Sequence, residues 1–142
     1  MSLEIFDNTC ILLAKAEQKH ENYTRQVFRE NGLEFNPIQA LVLYTLYKGD
    51  GISLSDLGKK CFLGNSTLTS VIDKIESLGL IERRLDPEDR RVYNIYLKDK
   101  GIEIRESLLN SMQYIYNKMM TDCTKEDIEV FRRVLLKIYE NL

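Results

Sequence analysis

Residues 53–101 read SLSDLGKKCFLGNSTLTSVIDKIESLGLIERRLDPEDRRVYNIYLKDKG, and their apolar period changes once, just after Gly79. Ser53 followed by Asp56 is a capping-box-like start for a short helix through about Phe62. Gly64 breaks the chain. From Asn65 to about Leu78, the residues Leu68, Val71, Ile72, Ile75 and Leu78 recur at steps of three and four, the stripe of a helix with one buried side. The other side carries Asn65, Ser66, Thr69, Ser70, Asp73, Lys74 and Ser77. Gly79 suits a helix C-terminus. Beyond it, Leu80–Leu85 and Val92–Leu97 alternate with period two and read as strands, joined by Asp86-Pro87-Glu88-Asp89-Arg90-Arg91.

Two short helices across a glycine-containing turn, the second polar outside, form a helix-turn-helix, and the charged hairpin behind it makes the unit winged. The second helix buries one stripe to be held rigid. Its other stripe offers small hydrogen-bonding side chains that fit a major groove. Arginines at a hairpin tip suit a narrow, electronegative minor groove. These residues imply a double-stranded DNA partner, read through Asn65, Ser66, Thr67, Thr69, Ser70 and Lys74 on the helix and through Arg90 and Arg91 on the wing. One of Arg83 and Arg84 is expected in a structural ion pair. The alternative is a winged-helix protein-interaction module that binds no DNA.

The flanks are helical. Residues 3–31 carry a stripe through Phe6, Cys10, Leu13, Glu17, His20, Thr24 and Val27, and Gly32 ends it. Asn36-Pro37 opens a helix to about Tyr47 with a cap and a first-turn proline. Its Leu41, Leu43, Tyr44 and Tyr47 send it through the core. Residues 99–121 form a helix whose buried stripe is Leu108, Leu109, Met112, Ile115, Tyr116 and Met119. Thr124 with Asp127 caps a last helix, with Ile128, Phe131, Val134, Leu135 and Ile138 on one face. The fold class is mainly α, a winged helix-turn-helix lobe at 36–98 with long helices at 3–31 and 99–142, all within one 1–142 domain. Three apolar-striped helices exceed what one small lobe can cover, so those terminal helices are expected to build a homodimer.

Composition bounds the rest. With 142 residues, 44% hydrophobic and 30% charged, the chain has the balance of an ordinary globular domain. No apolar run approaches the roughly 18 residues of a membrane span, and the start lacks a secretory signal layout; a cytoplasmic protein with no membrane association is expected. Cys10, Cys61 and Cys123 with a lone His20 make neither a zinc set nor a disulfide framework, so no metal and no cofactor are expected. There is no nucleophile elbow, phosphate-binding glycine loop or histidine–acid pairing, which argues against an enzyme. Net charge is −2, yet residues 53–100 hold nine basic and eight acidic side chains. Local Lys/Arg placement governs DNA binding more than the whole-chain sum.

Residues 53–101 resemble the multiple-antibiotic-resistance regulator (MarR) family. The most specific stretches are Gly79-Leu80-Ile81-Glu82-Arg83-Arg84, then Asp86-Pro87-Glu88-Asp89-Arg90-Arg91, closing on Lys100-Gly101. The resemblance implies a dimer of intertwined terminal helices and a repressor released from a pseudo-palindromic site by a small-molecule effector or an oxidant. Asp89 and Arg91 match the family's Asp-x-Arg wing motif, in which the acid steadies the base. Ser70 stands where many members carry a long basic residue, which shifts affinity toward the wing and phosphate contacts.

Cys10 has two readings. The Cys-Ile-Leu-Leu stretch resembles a branch that senses organic peroxides through one cysteine in the first helix, with Tyr23 near the place of a partner tyrosine. A cysteine on an apolar stripe is otherwise inert packing, the expectation preferred here. Cys61 and Cys123 read as structural or incidental and His20 as a surface residue. Tyr23, Tyr44, Tyr47, Tyr114 and Tyr116 read as core packing, with an effector pocket as their alternative use.

Overall fold

The computed structural model describes residues 6–142. A π-helical turn, Phe6–Cys10, leads into α1 (Ile11–Glu30), followed by α2 (Pro37–Lys48) and the short strand β1 (Ile52–Ser53). Then come α3 (Leu54–Cys61), α4 (Asn65–Ser77), β2 (Ile81–Leu85) and β3 (Tyr93–Leu97). The chain ends with α5 (Asp99–Glu103), α6 (Arg105–Met119) and α7 (Lys125–Asn141). Residues 3–5 of the expected first helix, and the side chain of Phe6, lie outside the described residues.

The caps sit where the side-chain chemistry places them. Asn36 Oδ1 accepts the Gln39 N–H at 2.8 Å while Gln39 Oε1 accepts the Asn36 N–H at 3.0 Å, a reciprocal pair that fixes the start of α2. Ser53 Oγ accepts the Asp56 N–H at 3.1 Å, starting α3. Thr124 and Asp127 exchange the same two bonds at the start of α7. Gly79 takes φ +76 beyond α4, a left-handed turn that costs glycine nothing.

The sheet is antiparallel with order β1-β3-β2. Arg83 stands opposite Ile95, and Ile52 of β1 pairs with Ile95 from the other side. β1 was not legible in the sequence, because two residues cannot display a period. Val42, Leu43, Leu46, Leu57, Leu68, Ile72, Ile75, Leu80, Ile81 and Ile95 form a core in which α2 is central.

Three expectations need correction. The helix expected at 99–121 is broken at Ile104, which separates α5 from α6. Within α5, a Cβ at Gly101 would lie 2.3 Å from the Leu80 carbonyl oxygen, so α5 is pressed backbone to backbone against the lead into β2. In the stripe of α6, Leu108 and Ile115 are buried and Leu109 and Met112 are half-buried, but Tyr116 and Met119 are exposed. The single chain has nothing to lay over that end. Cys10, expected as a packing residue, is exposed together with every residue from Ile11 to His20. The apolar face of α7 fares alike: none of its residues is buried, and Phe131, Val134 and Leu135 are exposed. Cys61 is buried, its Sγ 3.4 Å from Thr45 Oγ1, while Cys123 is exposed.

Candidate nucleic-acid interface

α4 is held by Leu68, Val71, Ile72 and Ile75, all buried, so the helix cannot roll. Its opposite side presents Asn65, Ser66, Thr67, Thr69, Ser70 and Lys74, all exposed. Gly64 precedes the helix without a side-chain cap. Its first-turn N–H groups are therefore left for solvent or an anion, and the helix dipole favours the anion. One residue of the polar side is already occupied. Asp73 is ion-paired with Arg83, which also donates from Nη1 to Glu76 Oε1 at 3.0 Å. The Arg83 main-chain N–H donates to the other Glu76 oxygen at 3.0 Å. Arg83 is thus the structural arginine of the expected pair, and it fastens the base of the wing to α4. Arg84 pairs with Glu82 and lies over the Tyr96 ring, 4.1 Å from its centroid.

The wing turn is built by Asp86. Its Oδ1 accepts the N–H groups of Glu88 at 2.8 Å and Asp89 at 3.0 Å, and its Oδ2 accepts Asn94 Nδ2 at 3.0 Å. Those bonds, the Asn94 one first, hold its carboxyl below the usual carboxylate range. Asp89 is lowered in the same sense by Arg91, whose Nε donates to Oδ1 at 3.0 Å and Nη2 to Oδ2 at 3.2 Å. The side chain of Arg91 is 90% exposed even so. Arg90 is exposed beside it, with no ion pair among the described residues. The acid orients the arginine without covering it. Asp89 and Arg91 were expected from the sequence; Asp86 as the turn-former was not, although Asp-Pro at a loop start is a turn signal.

The exposed polar face of α4 and the exposed, oriented arginines of the wing thus belong to one rigid unit, joined by Arg83. A comparison with family models matches residues 35–93, the segment that holds this unit, to the MarR family. A Bacillus subtilis relative, the uncharacterized HTH-type transcriptional regulator YsmB, is 31% identical over 112 residues, covering 79% of this chain and 77% of that protein.

The chain belongs to the MarR family.

A second B. subtilis member, the HTH-type transcriptional regulator MhqR, is 27% identical over 96% of this chain and 90% of its own length. A solved structure of Bordetella bronchiseptica BpsR, described by the regulation of its DNA binding by 6-hydroxynicotinic acid, superposes with a TM-score of 0.82. It shares 22% identity, covering 92% of each chain. That likeness shows the winged helix-turn-helix fold. As a MarR-family member this protein is a DNA-binding transcription regulator, and its relatives are regulators, not enzymes. Among the described residues no helix is long and apolar enough to cross a membrane.

Proposed function

We propose that this MarR-family regulator is a homodimeric repressor. Residues 36–98 serve as the DNA-binding lobe, and residues 3–31 and 99–142 as the dimerisation helices. Asn65, Ser66, Thr67, Thr69, Ser70 and Lys74 line the major groove, and Arg90 and the Asp89-braced Arg91 enter the minor groove. The observation that carries the DNA reading is the exposed polar face of α4, held by four buried apolar residues and fastened through Arg83 to the wing. The homodimer is supported by α7, an apolar-faced helix of 17 residues with none buried, and by the exposed Ile11, Leu12 and Leu13 of α1.

Two-fold symmetry sets two α4 helices against successive major grooves, so the half-sites lie about one helical turn, 34–36 Å, apart. Occupancy of a promoter blocks polymerase. An effector that prefers one spacing of the two lobes shifts the population between DNA-competent and DNA-incompetent dimers; BpsR, by its description, is regulated by a small molecule. Selection of bound sequences from random DNA with the purified protein tests this reading. An inverted repeat with centres about 10–10.5 bp apart is expected, and recovery of no enriched sequence would remove the proposal.

A further inference from the structure

The last paired rung of the wing, Leu85 opposite Tyr93, is exposed although apolar, at 50% and 44%. Residues directly opposite on antiparallel strands share a sheet face, as do residues two apart along a strand. Leu85 and Tyr93 therefore lie on the face of Ile81, Arg83, Ile95 and Leu97. That face is turned to the core and to α4: Ile81 and Ile95 are buried, and the Arg83 guanidinium reaches Asp73 and Glu76. The opposite face is occupied by its own contacts, Arg84 over the Tyr96 ring and Asn94 bonded to Asp86. A single exposed apolar side chain is ordinary; two paired across the strands beside a DNA-reading helix ask for a partner.

Position identifies that partner. Outward along the hairpin, the Arg83 rung grips α4, the Leu85 rung follows, and the turn with Arg90 and Arg91 comes last. The pair thus fills the span between α4 and the wing tip, on the side facing α4. In a duplex, a major groove and the minor groove beside it are separated by one sugar–phosphate strand. A protein with a helix in the first and arginines in the second must cross that strand. The strand offers the C–H edges of deoxyribose and phosphate oxygens that accept hydrogen bonds from tyrosine, among other donors. A leucine beside a tyrosine matches both. The rung is also continuous with the exposed polar side of α4 and with the exposed arginines of the tip.

We propose that Leu85 and Tyr93 form an uncharged saddle over the DNA strand between the two grooves, Leu85 packing on deoxyribose and Tyr93 Oη donating to a phosphate oxygen. This inference rests on the placement of α4 and the wing in adjacent grooves. It adds a contact that fixes the register of the protein on the duplex and carries no sequence information. The absence of charge sets it apart from Arg90 and Arg91. A lysine or arginine at a phosphate releases counterions and steepens the salt dependence of binding; a phenol hydroxyl and a leucine do not.

The test follows binding of the full-length protein to a fluorescent duplex carrying the inverted repeat recovered by selection, by anisotropy over a series of salt concentrations. Tyr93→Phe removes one hydroxyl and keeps the ring. It should melt like wild type and bind about tenfold more weakly, as for one lost hydrogen bond to a charged group. The salt slope should not change, and the same factor should hold for duplexes bearing single base-pair changes. Leu85→Ala should also lose affinity at an unchanged slope. Tyr96→Phe, the same change on the other face of β3, should bind like wild type. Where one phosphate of the strand between the grooves is replaced by an uncharged methylphosphonate, the Tyr93→Phe penalty should shrink. Wild-type affinity in either Tyr93→Phe or Leu85→Ala, an equal loss in Tyr96→Phe, or a factor that varies with base sequence would overturn the proposal. So would a changed sedimentation coefficient of Leu85→Ala, which would give the rung to a protein contact. Failure of the wild type to bind any duplex would remove the DNA reading itself, and the saddle with it.

Discussion

Arg83 on β2 grips Glu76 on α4 twice, from its guanidinium Nη1 and from its main-chain N–H, each at 3.0 Å. The pair is partly buried, so it is less screened than a surface ion pair, and Asp73 completes the grip. The wing therefore cannot swing independently of α4. Arg83→Gln should lower stability by about 1.5–3 kcal/mol, the range for hydrogen bonds to charged groups. It should also weaken DNA binding under conditions where the variant is fully folded. Denaturant melts and fluorescence anisotropy with one operator measure the two effects; intact affinity in the folded variant would show that the wing needs no fastening.

The wing arginines predict a different signature. Arg91 is exposed, so Arg91→Ala should leave Tm nearly unchanged while DNA binding weakens. The slope of log affinity against log salt should fall by about one unit for one lost charge near phosphate. Acid should act through the wing as well. The lowered carboxyls of Asp86 and Asp89 give a contribution that is complete above the ordinary carboxylate range and lost as pH falls through their depressed values. DNA binding should then be insensitive to these acids from about pH 5 to 8, the usual range of maximal stability. NMR titration of the two carboxyls, expected to show midpoints below those of free aspartate, checks the assignment.

Along α4 the two faces should answer differently to mutation. Leu68→Ala removes a fully buried side chain and should cost about 2–5 kcal/mol. Ser70→Arg leaves folding alone but places a long base on the exposed side, so affinity or the selected sequence should change. A variant with unaltered affinity and site would take Ser70 off the DNA face.

How much of this was legible in the chain depends on length and on reach. The α4 stripe spans several turns, so its buried and exposed faces could be named residue by residue. β1 could not, at two residues. The break at Ile104 was hidden because residues 99–121 keep a helical pattern throughout. Nor does a local pattern record the tertiary contact of the Gly101 backbone with Leu80, although Gly101 itself was visible. Asp73 looked like one more polar residue of the outward face. Its capture by Arg83 depends on how β2 turns back over α4, which no local pattern records.

Assembly can be tested on the full chain. Phe131, Val134 and Leu135 of α7 are exposed, and none of them belongs to the buried core of the lobe. Phe131→Glu/Leu135→Glu should give a folded monomer by sedimentation, with the operator bound far more weakly. A dimer that survives the double substitution would move the interface away from α7.

Cys10 makes the last prediction. A peroxide-sensing cysteine reacts as the thiolate, so something must stabilise that anion. Cys10 closes the π-helical turn and is followed by Ile11, Leu12, Leu13 and Ala14, none of which can do so. The nearest base after it on α1, Lys15, has its Nζ 3.5 Å from Gln18 Oε1. The exposure of Cys10 belongs to the same uncovered apolar stretch as Ile11–Leu13; in the proposed homodimer that stretch is the surface to be covered. Exposure in the single chain therefore does not make a sensor. Cys10→Ser should bind DNA like wild type, and organic hydroperoxide should leave the DNA affinity of both proteins unchanged. Rapid loss of binding in wild type alone, with a sulfenic acid mapped to Cys10, would make it the sensor and would place the missing cation or hydroxyl on the partner subunit.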